Sequence, residues 1–159
     1  MNSNLDLDLA AKNLGNFLIQ THTRLVTAES CTGGWLAQCI TDIAGSSAWF
    51  DRGFITYSNA SKSDMLGVQS ATIEKFGAVS TEVARQMLQG ALDNSQADYA
   101  IAITGVAGPT GGTTQKPVGT VYIGWQKRTE PAVVTLEHFS GDRQEIRRQA
   151  VYKALHNPY

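Results

Sequence analysis

Charge is scarce in this 159-residue chain, and what there is nearly cancels to a net −1. No basic field is therefore available to grip a nucleic-acid backbone, and any phosphate must be held by a local cluster of donors. Cysteine is nearly absent too. Cys31 and Cys39 lie eight apart, one in a turn and one on an apolar helix face, which suits a reducing compartment better than a disulfide. Long apolar runs are missing: none approaches the ~18 residues of a membrane span. The first residues, with Asp6 and Asp8 before Lys12, lack the basic start and apolar core of a secretory leader. A cytoplasmic protein is expected. Neither paired His or Cys spacing nor a carboxylate cluster marks a metal site, and the glycines fit neither a Walker loop nor a dinucleotide fingerprint. No metal or cofactor is expected. Repeats, linkers and low-complexity tracts are also missing, so residues 1–159 read as one domain.

What is present is a regular alternation of helical and strand patterns. Leu7, Ala10, Ala11, Leu14, Phe17 and Leu18 recur at helical spacing, which predicts a helix over 6–20. Strands are predicted at 24–28, 53–57, 99–104, 118–125 and 133–139, the last two as a hairpin. Helices are predicted at 33–44 and 59–66, from Ser80 to Leu92 with Ser80 as cap, and from Asp142 to about Leu155. A short helical turn falls at 71–76. Helices between strands imply a three-layer α/β/α sandwich with a mixed, mostly parallel sheet.

The most informative stretch is Thr27-Ala28-Glu29-Ser30-Cys31-Thr32-Gly33-Gly34. It reads as a strand, a tight turn and a helix start, with a hydroxyl and a thiol side by side. The glycines allow close backbone approach to a ligand, and the first helical amides are expected to lack partners and to point at it. Ser30 read alone is a helix N-cap; in this setting it is also a candidate nucleophile, which needs a base to take its proton. His22, His138 and His156 all lie outside the turn and glycine motifs, which argues against a serine–histidine–acid triad. Lys62, five residues past Tyr57, is an alternative base if burial keeps it neutral. Read alone, Lys62 is a solvated surface lysine and Tyr57 a packing residue. Spacing does not place either beside Ser30.

The loop Thr104-Gly105-Val106-Ala107-Gly108-Pro109-Thr110-Gly111-Gly112 leaves the carboxyl end of the central strand, where open α/β sheets bind ligands. Its glycines free amides to cradle a phosphate or oxyanion. Arg143, in the first turn of the last helix, opposes the helix dipole, a cost that a bound anion would offset. Trp35, Trp49 and Phe50 are candidates for a ring pocket or a subunit contact.

Together with Ile55-Thr56-Tyr57-Ser58-Asn59 and Lys62, Gly77-Ala78-Val79-Ser80 and Lys116-Pro117-Val118-Gly119-Thr120-Val121, these motifs resemble the C-terminal domain of the competence/damage-inducible protein CinA. The likeness runs from about residue 8 to 155. Thr110 stands where an acidic residue is frequent. Stand-alone members of that family are nicotinamide-nucleotide amidases. The resemblance implies hydrolysis of the carboxamide of nicotinamide mononucleotide in pyridine-nucleotide salvage. It implies Ser30 as nucleophile, Lys62 as general base and Tyr57 assisting proton movement. Amides around Cys31, Thr32 and Gly33 would hold the oxyanion, with Gly34 also in the substrate site. Thr104, Gly105, Ala107, Gly108, Gly111 and Gly112 with Arg143 would hold the ribose phosphate. A homo-oligomer is expected. The alternatives are an amidase using Cys31 and a non-catalytic nucleotide-binding or regulatory module.

Overall fold

A computed structural model describes residues 3–156, with side chains from Leu7 onward. The Asp6 side chain and both ends of the expected 1–159 domain lie outside the described residues. In chain order the elements are α1 (Ser3–Gln20), β1 (Leu25–Glu29), α2 (Trp35–Thr41), a 3-10 turn (Ser46–Ala48), β2 (Phe50–Ile55) and α3 (Asn59–Leu66). They continue with α4 (Ser70–Phe76), α5 (Thr81–Asp93), β3 (Tyr99–Gly105), β4 (Thr120–Lys127), β5 (Val133–His138) and α6 (Arg143–Leu155).

The strands form one sheet in the order β2-β1-β3-β4-β5. β1 pairs in parallel with β2 and β3, and β4 pairs antiparallel with β3 and β5. Four strands thus share a direction and β4 alone runs against them. Helices cover both faces, which gives the expected three-layer sandwich. On one face α1, α2 and α6 bury Leu14, Leu36, Ile40 and Ile146 against Ile101, Ile103 and Ile123. On the other, α5 lays Val83, Met87, Leu88 and Leu92 against Val26, Ala28, Ala100 and Ala102. The side chains of β3 alternate accordingly, large toward α1 and α6 and alanine toward α5. Burying each large aliphatic group contributes roughly 1.5–3 kcal/mol.

From β1 the chain crosses to β2 on one side, and from β2 it returns through α3–α5 to β3 on the other side. The connections diverge between β1 and β3, which opens a crevice outside their carboxyl ends. The expected ligand loops, 30–34 and 105–112, leave those two strand ends.

Several predicted boundaries move, each for a local reason. α2 begins at Trp35 because Gly33 and Gly34 hold left-handed φ values of 60° and 101°, which a right-handed helix excludes. β4 starts at Thr120, just after Gly119 at φ 95°. β2 starts earlier than expected, at Phe50, and ends at Ile55, so Tyr57 lies beyond the strand. Trp49 is 2% exposed in the core beside α1 and Phe50 packs against the same cluster. The core, not a ligand pocket, claims Trp49. Among the described residues no helix is long and apolar enough to cross a membrane.

Candidate active site

β1 is buried along its whole length and delivers Ser30 directly after its last residue. The Ser30 amide donates to the Ile103 carbonyl of β3 at 2.9 Å, and the Thr56 amide donates to the Glu29 carbonyl at 2.8 Å. The sheet's hydrogen bonding thus runs past β1 to Ser30 on the β3 side and past β2 to Thr56 on the other side, and it fixes the backbone that carries the hydroxyl.

Ser30 is not a helix cap. The cap position of α2 is Gly34, which offers no side chain. The expected open amides of α2 are occupied as well. The Glu29 carboxylate, 1% exposed, accepts from the Leu36 amide at 2.8 Å, the Ala37 amide at 3.1 Å and the Thr32 hydroxyl at 2.7 Å. Three donors compensate its buried charge. On the outer side the Arg147 guanidinium donates to the carbonyls of Cys31 and Thr32, both at 3.0 Å, and its central carbon lies over the Trp35 ring, 5.4 Å from the centroid. Gly34 fits here because its φ is left-handed and a Cβ would sit 2.9 Å from the Ile55 side chain.

Lys62 approaches from the opposite face of the sheet. Its helix α3 starts from a reciprocal cap in which the Ser58 and Ser61 side chains each accept from the other's backbone amide, a geometry that fixes the helix start. One turn later, Lys62 is 1% exposed. Its Nζ lies 3.0 Å from Ser30 Oγ and donates to the Thr56 carbonyl at 2.7 Å. Among the described residues no carboxylate forms an ion pair with it. Burial disfavours the ammonium form and lowers the Lys62 pKa below its ordinary 10.5, against a smaller opposing effect of Cys31. The solvated-surface reading of Lys62 is overturned by this burial. A neutral amine within hydrogen-bond reach of a serine hydroxyl is the arrangement that general-base activation requires.

The neighbouring thiol has the opposite character. Burial pushes Cys31 up to about 12, only partly offset by its own backbone amide and by Arg147. Thiolate is the reactive form, and this site suppresses it. That disfavours the Cys31 amidase. Both cysteines are free.

Ser30, Cys31, Lys62 and Tyr57 open into a cavity of about 330 Å3, closed on the far side by Thr104, Gly105, Ala107, Gly108, Gly111 and Arg143. Tyr57 is 62% exposed and stands at the rim. The Arg143 guanidinium donates to the Tyr57 hydroxyl at 3.1 Å and to the Gly108 carbonyl at 2.7 Å, and so ties α6, the β2–α3 connection and the glycine loop together. Gly108 has φ 79°, and a Cβ there would collide with Val118. The Thr104 hydroxyl donates to the Ala78 carbonyl at 2.9 Å, so its side chain braces the pocket wall.

Thr32, Gly33 and Gly34 do not line this cavity. They line a neighbouring one of about 550 Å3 with Trp35 and Arg147, which meets the first at Arg143. Gly112 lines neither. Sequence reasoning missed Asn59, Ala78, Val79, Val106 and Thr110 as lining groups, and it gave no role to Glu29 or Arg147. Arg147 carried a usable signal, since it falls four residues after Arg143 and so shares its helix face.

Comparison with known proteins identifies the family. Residues 8–157 match the CinA C-terminal domain. A nicotinamide-nucleotide amidohydrolase PncC from Escherichia coli K12 is 50% identical over 145 residues, covering 91% of this chain and 88% of that protein. The PncC of Pseudomonas putida is 47% identical over 145 residues, covering 91% and 90%. The crystal structure of competence/damage inducible protein CihA from Agrobacterium tumefaciens superposes with a TM-score of 0.92 at 44% identity, covering 94% and 92% of the two chains. The chain belongs to the CinA C-terminal domain family.

Proposed function

We propose that this chain hydrolyses the carboxamide of nicotinamide mononucleotide to nicotinate mononucleotide and ammonia, through an acyl-enzyme on Ser30. The observation that carries this reading is the buried Lys62 amine 3.0 Å from Ser30 Oγ. The PncC relatives, named as nicotinamide-nucleotide amidohydrolases, support the substrate. In the first half-reaction neutral Lys62 takes the Ser30 proton as Oγ attacks the carboxamide carbon. The oxyanion forms beside the nucleophile turn. There the Gly33 amide already donates to the Ser30 carbonyl, so the amide of Cys31, which lines the cavity, is its donor. Lys62 then protonates the departing nitrogen, which leaves as ammonia. In the second half-reaction Lys62 takes a proton from the water that attacks the acyl carbon, and it returns that proton to Ser30 Oγ as the nicotinate nucleotide leaves. Tyr57, oriented by Arg143, assists these transfers at the rim. The glycine loop and Arg143 receive the ribose phosphate, because Glu29 already occupies the helical amides beside Ser30.

The chemistry needs no metal or cofactor in this reading. We place the chain in pyridine-nucleotide salvage in the cytoplasm, acting as one domain within a homo-oligomer. A non-catalytic nucleotide-binding module would leave the burial of Lys62 against Ser30 without a purpose. Ammonia release from nicotinamide mononucleotide by the purified protein tests the reading. Release supports it, and a folded protein that binds the nucleotide but releases no ammonia contradicts it.

A further inference from the structure

We infer that Glu29 and Arg147 are positioning residues for acylation, acting as a two-sided clamp on the turn that carries Ser30; this rests on the reading of Ser30 as nucleophile. The turn 30–34 contains two left-handed glycines, which cost it conformational entropy to order. Its own backbone bonds run from the Gly33 amide to the Ser30 carbonyl and from the Trp35 amide to the Thr32 carbonyl. Two side chains from outside the turn add to these. From the sheet side, the buried Glu29 carboxylate gathers the Thr32 hydroxyl and the Leu36 and Ala37 amides, so the first turn of α2 and the nucleophile turn are locked to one group. From the α6 side, Arg147 takes the next two carbonyls, Cys31 and Thr32, with its cationic carbon over the Trp35 ring.

Two consequences follow for the reaction. Arg147 holds the carbonyls of Cys31 and Thr32, and each peptide plane carries the next amide with it. The Thr32–Gly33 peptide, whose N–H holds the Ser30 carbonyl and with it the Cys31 amide, is therefore oriented by Arg147. Glu29 ties Thr32 and the start of α2 to the end of β1, and so holds the turn that follows Ser30 in place. Neither side chain lines the cavity that contains Ser30 and Lys62, so neither needs to touch substrate. Misplacement by an ångström at this distance from the chemistry is enough to slow a reaction by about 10²-fold.

The test compares Glu29→Gln and Arg147→Gln with wild type. Glutamine keeps the length of Glu29 but turns one acceptor into a donor facing donors. Arg147 is half-buried on the surface of α6, so its variant remains informative if Glu29→Gln fails to fold. The readouts are kcat and KM for nicotinamide mononucleotide per folded molecule, well below the melting temperature, and the rate of Ser30 phosphorylation by diisopropyl fluorophosphate, with loss of fluoride, followed by intact mass. The clamp predicts that kcat and labelling rate fall about 10–100-fold, with KM changed less than twofold and the midpoint of the pH–rate profile unmoved. A purely structural role predicts a lower melting temperature with wild-type kcat per folded molecule, and that result overturns the inference. If wild type is labelled at Ser30 but releases no ammonia, the substrate reading fails while the labelling rates of the two variants still decide the clamp. If wild type is neither labelled nor active, both fall.

Discussion

Lys62 Nζ lies 3.0 Å from Ser30 Oγ although 32 residues separate them in the chain, and the two arrive from different layers of the fold. Ser30 leaves a buried parallel strand, and Lys62 reaches through from a capped helix on the α5 side of the sheet. A lysine buried without a carboxylate partner is costly to keep charged, so the same arrangement makes predictions about both pH and stability.

Turnover is expected to rise with pH through the Lys62 pKa, because only the neutral amine can take the serine proton. Burial places that pKa below 10.5, so the rise falls below the range of ordinary lysines. A kcat profile against pH checks this, and a profile that falls as pH is raised through the same range contradicts it.

Stability carries the matching signature. Between the lowered native pKa and 10.5, the unfolded chain binds more protons than the native one, so stability increases with pH across that window. Lys62→Met is expected to remove this contribution and to raise the melting temperature at pH 7, while lowering kcat by at least about 10³-fold. Paired denaturation curves of wild type and variant at several pH values measure it. A variant less stable than wild type at pH 7 opposes the prediction.

Cys31→Ala is expected to keep turnover within about threefold of wild type, and wild type is expected to resist iodoacetamide at pH 8, because a thiol held near 12 supplies almost no thiolate. Loss of ammonia release in the alanine variant, or rapid alkylation that abolishes it, would restore the thiol as nucleophile.

Arg143→Ala is expected to lower kcat/KM for nicotinamide mononucleotide by roughly 10–100-fold, mainly through KM. A charge-assisted hydrogen bond contributes about 1.5–3 kcal/mol, and this guanidinium holds both the Gly108 carbonyl and the Tyr57 hydroxyl. Steady-state kinetics separate the two parameters. A change confined to kcat would move Arg143 from substrate binding to chemistry.

Much of this could be read from residue order, and the limits are physical ones. Helix α3 was legible to the residue, because Asn59–Leu66 is bounded by Ser58 and Gly67, whose local chemistry starts and stops a helix. The caps Ser80 and Asp142 were legible for the same reason. Local rules do not report what a side chain meets across the sheet. Glu29 ends a buried strand, and its three donors lie as far along the chain as Ala37; nothing local pairs a carboxylate with amides eight residues ahead. Trp49 shares its neighbourhood with the site in sequence, yet the 3-10 turn before it carries it into the core. Lys62 read alone is a surface lysine, and only the layering of α3 on the sheet shows it buried.

The most direct measurement is ammonia release from nicotinamide mononucleotide by wild type, Ser30→Ala and Lys62→Ala, each confirmed folded by circular dichroism. The account predicts release by wild type and a loss of at least about 10³-fold in both variants. Release by Ser30→Ala at a rate near that of wild type would contradict it.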